Sequence, residues 1–201
     1  MGDHRIKRMK KRMRKEALAA RDMLEAEERA AASVGVEENL FSFKPFRAAR
    51  LVMFFVSFRS EVDTKGMIRR ALAEGKRVAA PVTNTDDGTL SPFEIGDFDT
   101  DLVEGAYGIL EPRQARDRLV PPEEIDLLLF PGAAFDHSGG RVGYGGGFYD
   151  RFVSRLRQDV PLVAVAFSSQ LRESVPMDTH DRPVDYIVTD REIIDCRGAR
   201  P

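Results

Sequence analysis

Apolar residues recur every three or four positions at Ile6, Met9, Met13, Ala17, Ala20 and Leu24, which predicts one amphipathic helix from residue 5 to about residue 30. Lys7, Lys10, Arg14 and Arg21 follow the same spacing on a neighbouring stripe, and Lys10 and Arg14, four apart, can converge on one target. The run RLVMFFVSF (residues 50–58) is almost continuously apolar, as in a strand buried on both faces. A helix TKGMIRRALAE follows, capped by Asp63 or Thr64 and ended by Gly75. KRVAAPVT predicts a strand, TNTDDG a turn and TLSPFEI a further strand. Residues 97–122 mix prolines and charge, so loop and short pieces are expected there. IDLLLFPG is a second buried strand, FYDRFVSRLR a helix, and PLVAVAFSS and PVDYIVT close the chain as strands. Strands alternating with helices predict an α/β architecture with a largely parallel sheet.

The charge pattern sharpens this picture. The formal net charge is −2, but residues 1–21 carry nine Lys/Arg against Asp3 and Glu16, a net of +7, and the rest sums to −9. Such a split predicts that the N-terminal segment meets something anionic. At 201 residues the chain fits one domain, with residues 1–30 as a basic helix packed on it. It has no apolar run of about eighteen residues, the length a membrane span needs, and no apolar core to a leader. Cys196 is the single cysteine, which fits a reducing, cytoplasmic setting and argues against a cysteine-based zinc site. No heptad or long exposed apolar helix is evident, so a monomer is expected.

The stretch GGRVGYGGGFYDRF (residues 139–152) then demands explanation. It lies between a buried strand and a helix, where α/β proteins bind ligands beyond the carboxyl ends of their strands. Gly143, Gly145, Gly146 and Gly147 let backbone approach closely, and Arg141 can fork onto phosphate. No GK[ST] follows, so it is no Walker loop, and its spacing is not a dinucleotide fingerprint. Asp150 beside a phosphate calls for an intervening cation such as Mg²⁺; a favourable charge at a helix start is the other reading.

PGAAFDHSGGRVGYGGGFYDR resembles the signature of the 5-formyltetrahydrofolate cyclo-ligase (methenyltetrahydrofolate synthetase) family. KKRMRKEALAARDML resembles that family's N-terminal basic helix, FFVSFRSEVDT its folate-contacting segment, and AFSSQLRESVPMDTHDRPVDYIVTD its C-terminal signature, all in family order. Val142 stands for a more usual Leu and Phe148 for a Tyr, both conserving size. The resemblance implies a three-layer α/β fold like that of certain sugar-phosphate isomerases and CoA transferases. It also implies conversion of 5-formyltetrahydrofolate, with ATP and Mg²⁺, to 5,10-methenyltetrahydrofolate, ADP and phosphate.

Roles carried over by the resemblance are as follows. Lys10 and Arg14 hold ATP phosphates, and the loop Arg141, Val142, Gly143, Tyr144, Gly145, Gly146, Gly147, Phe148 and Tyr149 binds the nucleotide, Arg141 and Tyr149 acting in catalysis. Tyr144 to Phe148 also border the folate, polyglutamylated or not, together with Val56 and Glu61. Asp150 and Asp181 match the Mg²⁺ ligands. Residue by residue the plainer readings remain: a solvated basic helix face, a core valine, a loop glutamate, and an aspartate in a turn before Pro183. His137 and His180 receive no role. Three other functions compete: a basic-helix nucleic-acid module, a non-catalytic folate-binding protein, and another phosphate-handling enzyme on this fold. Against the first, most of the chain is acidic and carries no nucleic-acid signature, so no nucleic acid or membrane partner is expected.

Overall fold

The computed structural model describes residues 2–199. Its centre is a seven-stranded sheet built from β1 (Leu51–Met53), β2 (Arg77–Asn84), β3 (Thr89–Ile95), β6 (Leu127–Phe130), β9 (Leu162–Val165), β10 (Tyr186–Val188) and β11 (Ile193–Asp195). The order across the sheet is β11-β10-β9-β6-β1-β2-β3. The pairs β1–β2, β1–β6, β6–β9 and β9–β10 are parallel. Only the edge strands β3 and β11 run antiparallel to their neighbours. From β1 the chain moves first to β2 and β3 on one side, then to β6 on the other. This is the switch point at which α/β sheets open a crevice.

Alternation along the strands sends side chains to two cores. Val52, Val78, Leu127, Leu129 and Val163 pack with Val36, Leu40, Phe46, Met67 and Ile68. These last come from α2 (Ala26–Ser42), α3 (Lys44–Ala48) and α4 (Thr64–Ala73). On the opposite face Met53, Leu128, Phe130, Ala164 and Ile187 pack with Phe152 of α6 (Phe148–Val153), Ile125 and Val160. The result is a three-layer α/β arrangement. Among the described residues, no helix is long and apolar enough to cross a membrane.

The expected helix over residues 5 to about 30 is two helices, α1 (Gly2–Asp22) and α2, with a turn between them. The stripe on α1 packs Met13, Ala17 and Leu18 against Ala133, Ala134, Val142 and Val175, away from the main sheet. Helix α2 must instead reach the sheet with Val36, Leu40 and Phe41. One straight cylinder cannot serve both surfaces, and neither Pro nor Gly marks the break. The predicted strand at residues 50–58 pairs only over β1. Beyond Phe54 its backbone is satisfied by side chains: Thr64 Oγ1 donates to the Phe55 carbonyl (2.8 Å) and accepts from the Ser57 amide (2.8 Å). This exchange lifts residues 55–58 out of the sheet. The mixed region contains the short α5 (Phe98–Asp101) and the hairpin β4 (Leu102–Glu104) and β5 (Leu110–Pro112). A second small hairpin joins β7 (Ala134–Phe135) and β8 (Arg141–Val142).

Candidate functional site

A cavity of about 1110 Å³ opens where the parallel strands end. Its floor is Phe55 and Val56 after β1, Pro81 and Thr83 in β2, and Pro131 after β6. Helix α1 forms one wall, the segment 141–150 another, and Asp178 and Asp181 a third. Every residue singled out from the sequence lines this space: Lys10, Arg14, Val56, Glu61, the run 141–149, Asp150 and Asp181. Stretches separated by up to 171 positions in the chain meet directly, as Lys10 with Asp181.

The α1 wall is cationic because one helical stripe faces inward. Lys7, Lys10, Lys11, Arg14 and Arg21 all line the cavity. Lys10 Nζ donates to Asp178 (2.9 Å) and to Asp181, and this ion pair holds the Asp178 carboxyl below the usual carboxylate range. Arg14 Nε donates to the Gly143 carbonyl (2.6 Å), tying α1 to the glycine loop. Burial also depresses the Arg14 guanidinium from its ordinary value.

In the loop, Gly145 has φ +102° and its Cα faces the Arg14 guanidinium; Gly147 has φ +68° and caps α6. Both conformations disfavour a side chain, which accounts for glycine at these two positions. The helix that follows is six residues rather than ten, closing when Ser154 Oγ donates to the Arg151 carbonyl (2.7 Å). So short a helix adds little dipole, and attraction for an anion falls to the cations around it. Phe148, at its start, and Gly146 complete the rim. Val142 is 1% exposed and points into the small α1 cluster, so only its backbone can serve a ligand.

Arg141 lies at the base of the loop. Its side chain is only 6% exposed and its Nη2 bonds Asp150 Oδ1 at 2.7 Å. The guanidinium sits 4.9 Å from the Phe130 ring centroid, and Tyr149 packs 5.4 Å from the same ring. Arg141 Nε is buried with no hydrogen-bond partner among the described residues. Such a donor normally finds an acceptor. Burial drives the Tyr149 phenol far above its ordinary pKa, so it is a hydrogen-bond donor at neutral pH and not a base. Replacing Phe130 by alanine should cost about 3–5 kcal/mol of stability and release Arg141. Chemical denaturation measures that cost.

Glu61 stands at the other end. Its Oε2 accepts from the Phe58 amide (2.8 Å) and its Oε1 from the Tyr144 hydroxyl. Arg21, noted in the sequence only for its stripe, donates to Tyr144 (2.9 Å) and to Ser60 (3.0 Å). Burial raises the Glu61 carboxyl above its ordinary pKa, opposed by the Tyr144 hydrogen bond. Burial likewise lifts Tyr144. Val56, 5% exposed, packs mainly in the core beneath.

Asp150 and Asp181 line the same cavity from two adjoining walls. The Arg182 amide donates to Asp150 Oδ1 (3.1 Å), and the Asp178 amide to Asp181 Oδ2 (2.7 Å). No set of three His, Cys, Asp or Glu able to hold a metal occurs among the described residues. Two carboxylates, each with its second oxygen outside these bonds, suit a hard cation that draws its remaining ligands from phosphate and water. Asp178 was missed from the sequence; its signal is its position three residues before Asp181, where its amide supports that carboxylate.

Comparison with known proteins places these features. The sequence pattern of the 5-formyltetrahydrofolate cyclo-ligase family matches residues 6–190. A 5-formyltetrahydrofolate cyclo-ligase of Escherichia coli K12 is 31% identical over 190 residues, covering 90% of this chain and 97% of that protein. The mouse enzyme of that name is 25% identical over 173 residues, covering 82% and 85%. The solved 5,10-methenyltetrahydrofolate synthetase of Aquifex aeolicus superposes with a TM-score of 0.83 at 33% identity, over 96% of this chain and 95% of that one. A likeness that runs from the basic helix through the glycine loop to the paired aspartates identifies this chain as a member of the 5-formyltetrahydrofolate cyclo-ligase family, and hence as a ligase.

Proposed function

We propose that the cavity converts 5-formyltetrahydrofolate and ATP to 5,10-methenyltetrahydrofolate, ADP and phosphate, with Mg²⁺. The observation that carries this reading is the convergence, in one space of about 1110 Å³, of a cationic wall, a glycine loop over a buried arginine, and a half-buried glutamate. That volume exceeds what a single drug-sized ligand fills and leaves room for two substrates.

The chemistry explains the need for ATP. The N5-formyl group is an amide whose oxygen leaves poorly. Transfer of the γ-phosphoryl to that oxygen breaks the bond to ADP and makes an iminium-like phosphate. N10 then attacks the formyl carbon, the ring closes and phosphate departs. Such transfer needs positioning and charge neutralisation and no protein nucleophile. Lys10 and Arg14 hold the phosphates from α1, while Arg141, with its unpartnered Nε, receives phosphate oxygen from below. Tyr149 braces Arg141 through the shared Phe130 ring. Glu61 accepts the paired N–H donors of the pterin edge, and Tyr144 to Phe148 separate the two substrates so that formyl oxygen meets γ-phosphate. Asp150 and Asp181 would hold Mg²⁺, which neutralises phosphate charge.

The test follows near-ultraviolet absorbance of the methenyl product in a mixture of protein, 5-formyltetrahydrofolate and Mg-ATP. An ATP-dependent rise is expected. Folate binding without turnover would favour a storage protein, and no folate binding would overturn the reading. Arg14→Ala should raise the KM for ATP about tenfold, the loss of one charge-assisted contact, and change the folate KM much less. The reverse pattern would remove α1 from the nucleotide side.

A further inference from the structure

Two residues other than glycine have left-handed backbone among the described residues: Arg59 (φ +54°) and Tyr107 (φ +60°). They lie in unrelated loops, yet both line the mouth of the same cavity. A bulky side chain at positive φ is uncommon and costs about 1–3 kcal/mol. Such conformations gather at ligand clamps, where geometry is held at the expense of stability.

Their side chains are free to act. Tyr107 is 68% exposed, among the most exposed large apolar residues described. It sits at the tip of the β4–β5 hairpin, closed by the Gly105 amide donating to the Ile109 carbonyl (2.8 Å). That tip abuts Phe58, and Arg59 lies with its guanidinium 5.1 Å from the Phe58 ring centroid. Among the described residues Arg59 ion-pairs with no carboxylate. Glu61, assigned above to the pterin, is two residues further along and faces inward through Tyr144.

We propose that Arg59 and Tyr107 form a clamp for the aminobenzoyl-glutamate half of the folate, an inference that rests on the folate reading above. With the pterin at Glu61, the rest of the substrate leaves through this mouth. It presents a flat aromatic ring followed by carboxylates. Tyr107 packs on the ring, and Arg59 pairs a carboxylate, the acceptor a planar guanidinium suits best. The clamp sets affinity and selectivity for the glutamate tail and takes no part in phosphoryl transfer.

The experiment compares 5-formyltetrahydrofolate with 5-formyltetrahydropteroate, which lacks the glutamate, by turnover and by calorimetric titration. The wild type should bind the pteroate about tenfold more weakly, the worth of one charge-assisted contact. Arg59→Ala should lose about tenfold for the folate and little for the pteroate, so that the difference collapses. Tyr107→Gly should weaken both ligands about threefold to tenfold while relieving backbone strain, and Tyr107→Phe should restore binding. The KM for ATP should not move. An Arg59→Ala variant that discriminates as the wild type does would overturn the clamp, as would wild type that binds neither ligand. Normal binding without turnover would sink the proposed reaction and leave the clamp standing on its titrations.

Discussion

Asp150→Asn should lower Mg-ATP-dependent turnover by about 10²–10³-fold, the usual loss when one element of an electrostatic site is removed, here a carboxylate that would hold the charge-neutralising Mg²⁺. Asparagine has the carboxylate's shape and can still accept from the Arg182 amide and from Arg141, the two bonds seen at Asp150. The fold should therefore persist, and excess Mg²⁺ should recover part of the activity by mass action. Asp150→Ala is the harsher change. It strands Arg141, whose side chain is 6% exposed, without its carboxylate. A loss of about 1–3 kcal/mol in stability is expected on top of the lost turnover. Steady-state rates against Mg²⁺ concentration and a denaturant titration separate the two effects. Full activity in both variants would remove Asp150 from the metal site.

Glu61→Gln should raise the folate KM about 10²-fold while leaving the KM for ATP nearly unchanged. The amide keeps one acceptor but turns an NH₂ toward the pterin donors, and a site built for hydrogen bonds discriminates strongly against a mismatch. The pH dependence gives an independent check. Burial raises the Glu61 carboxyl above the ordinary glutamate value of about 4.3. The folded chain thus keeps this proton to a higher pH than the unfolded chain, and this group's contribution to stability falls as pH rises through that interval. Folate binding has the opposite sign, since acceptance needs the carboxylate. The apparent folate affinity of the wild type should fall as pH drops through the raised pKa, earlier than for an exposed glutamate. In Glu61→Gln that acid limb should vanish. An unchanged limb in the variant would assign it to another group.

Both expectations depend on contacts that no local pattern contains. Residues 2–22 have the periodicity of a helix in isolation, so α1 and its cationic stripe are legible from spacing alone. The runs that became β1, β2, β6, β9 and β10 are legible for a similar reason: strands covered on both faces must be apolar at nearly every position. The glycine loop was visible because glycine is the residue that left-handed backbone selects, as at Gly145 and Gly147. The family likeness rests on these same stretches. The sequence by itself thus determined the main parallel strands, the helical character of α1, the α/β class and the chemical character of the site's walls, but not α3 or the edge strand β11.

Tertiary structure decided the rest. It broke the N-terminal helix after Asp22, because α1 and α2 pack on different surfaces. It ended the first strand at Met53, because Ser57 and Thr64 side chains replace strand partners. It gave Arg21 a place between Tyr144 and Ser60, and put Asp178 beside Lys10, pairings across 123, 39 and 168 positions of chain. It also bent Arg59 and Tyr107 into left-handed backbone at one mouth, where residue type predicts nothing of the kind. Periodicity reports which face of an element is buried, but a pairing between distant segments exists only once both surfaces have been packed and their polar groups have found partners.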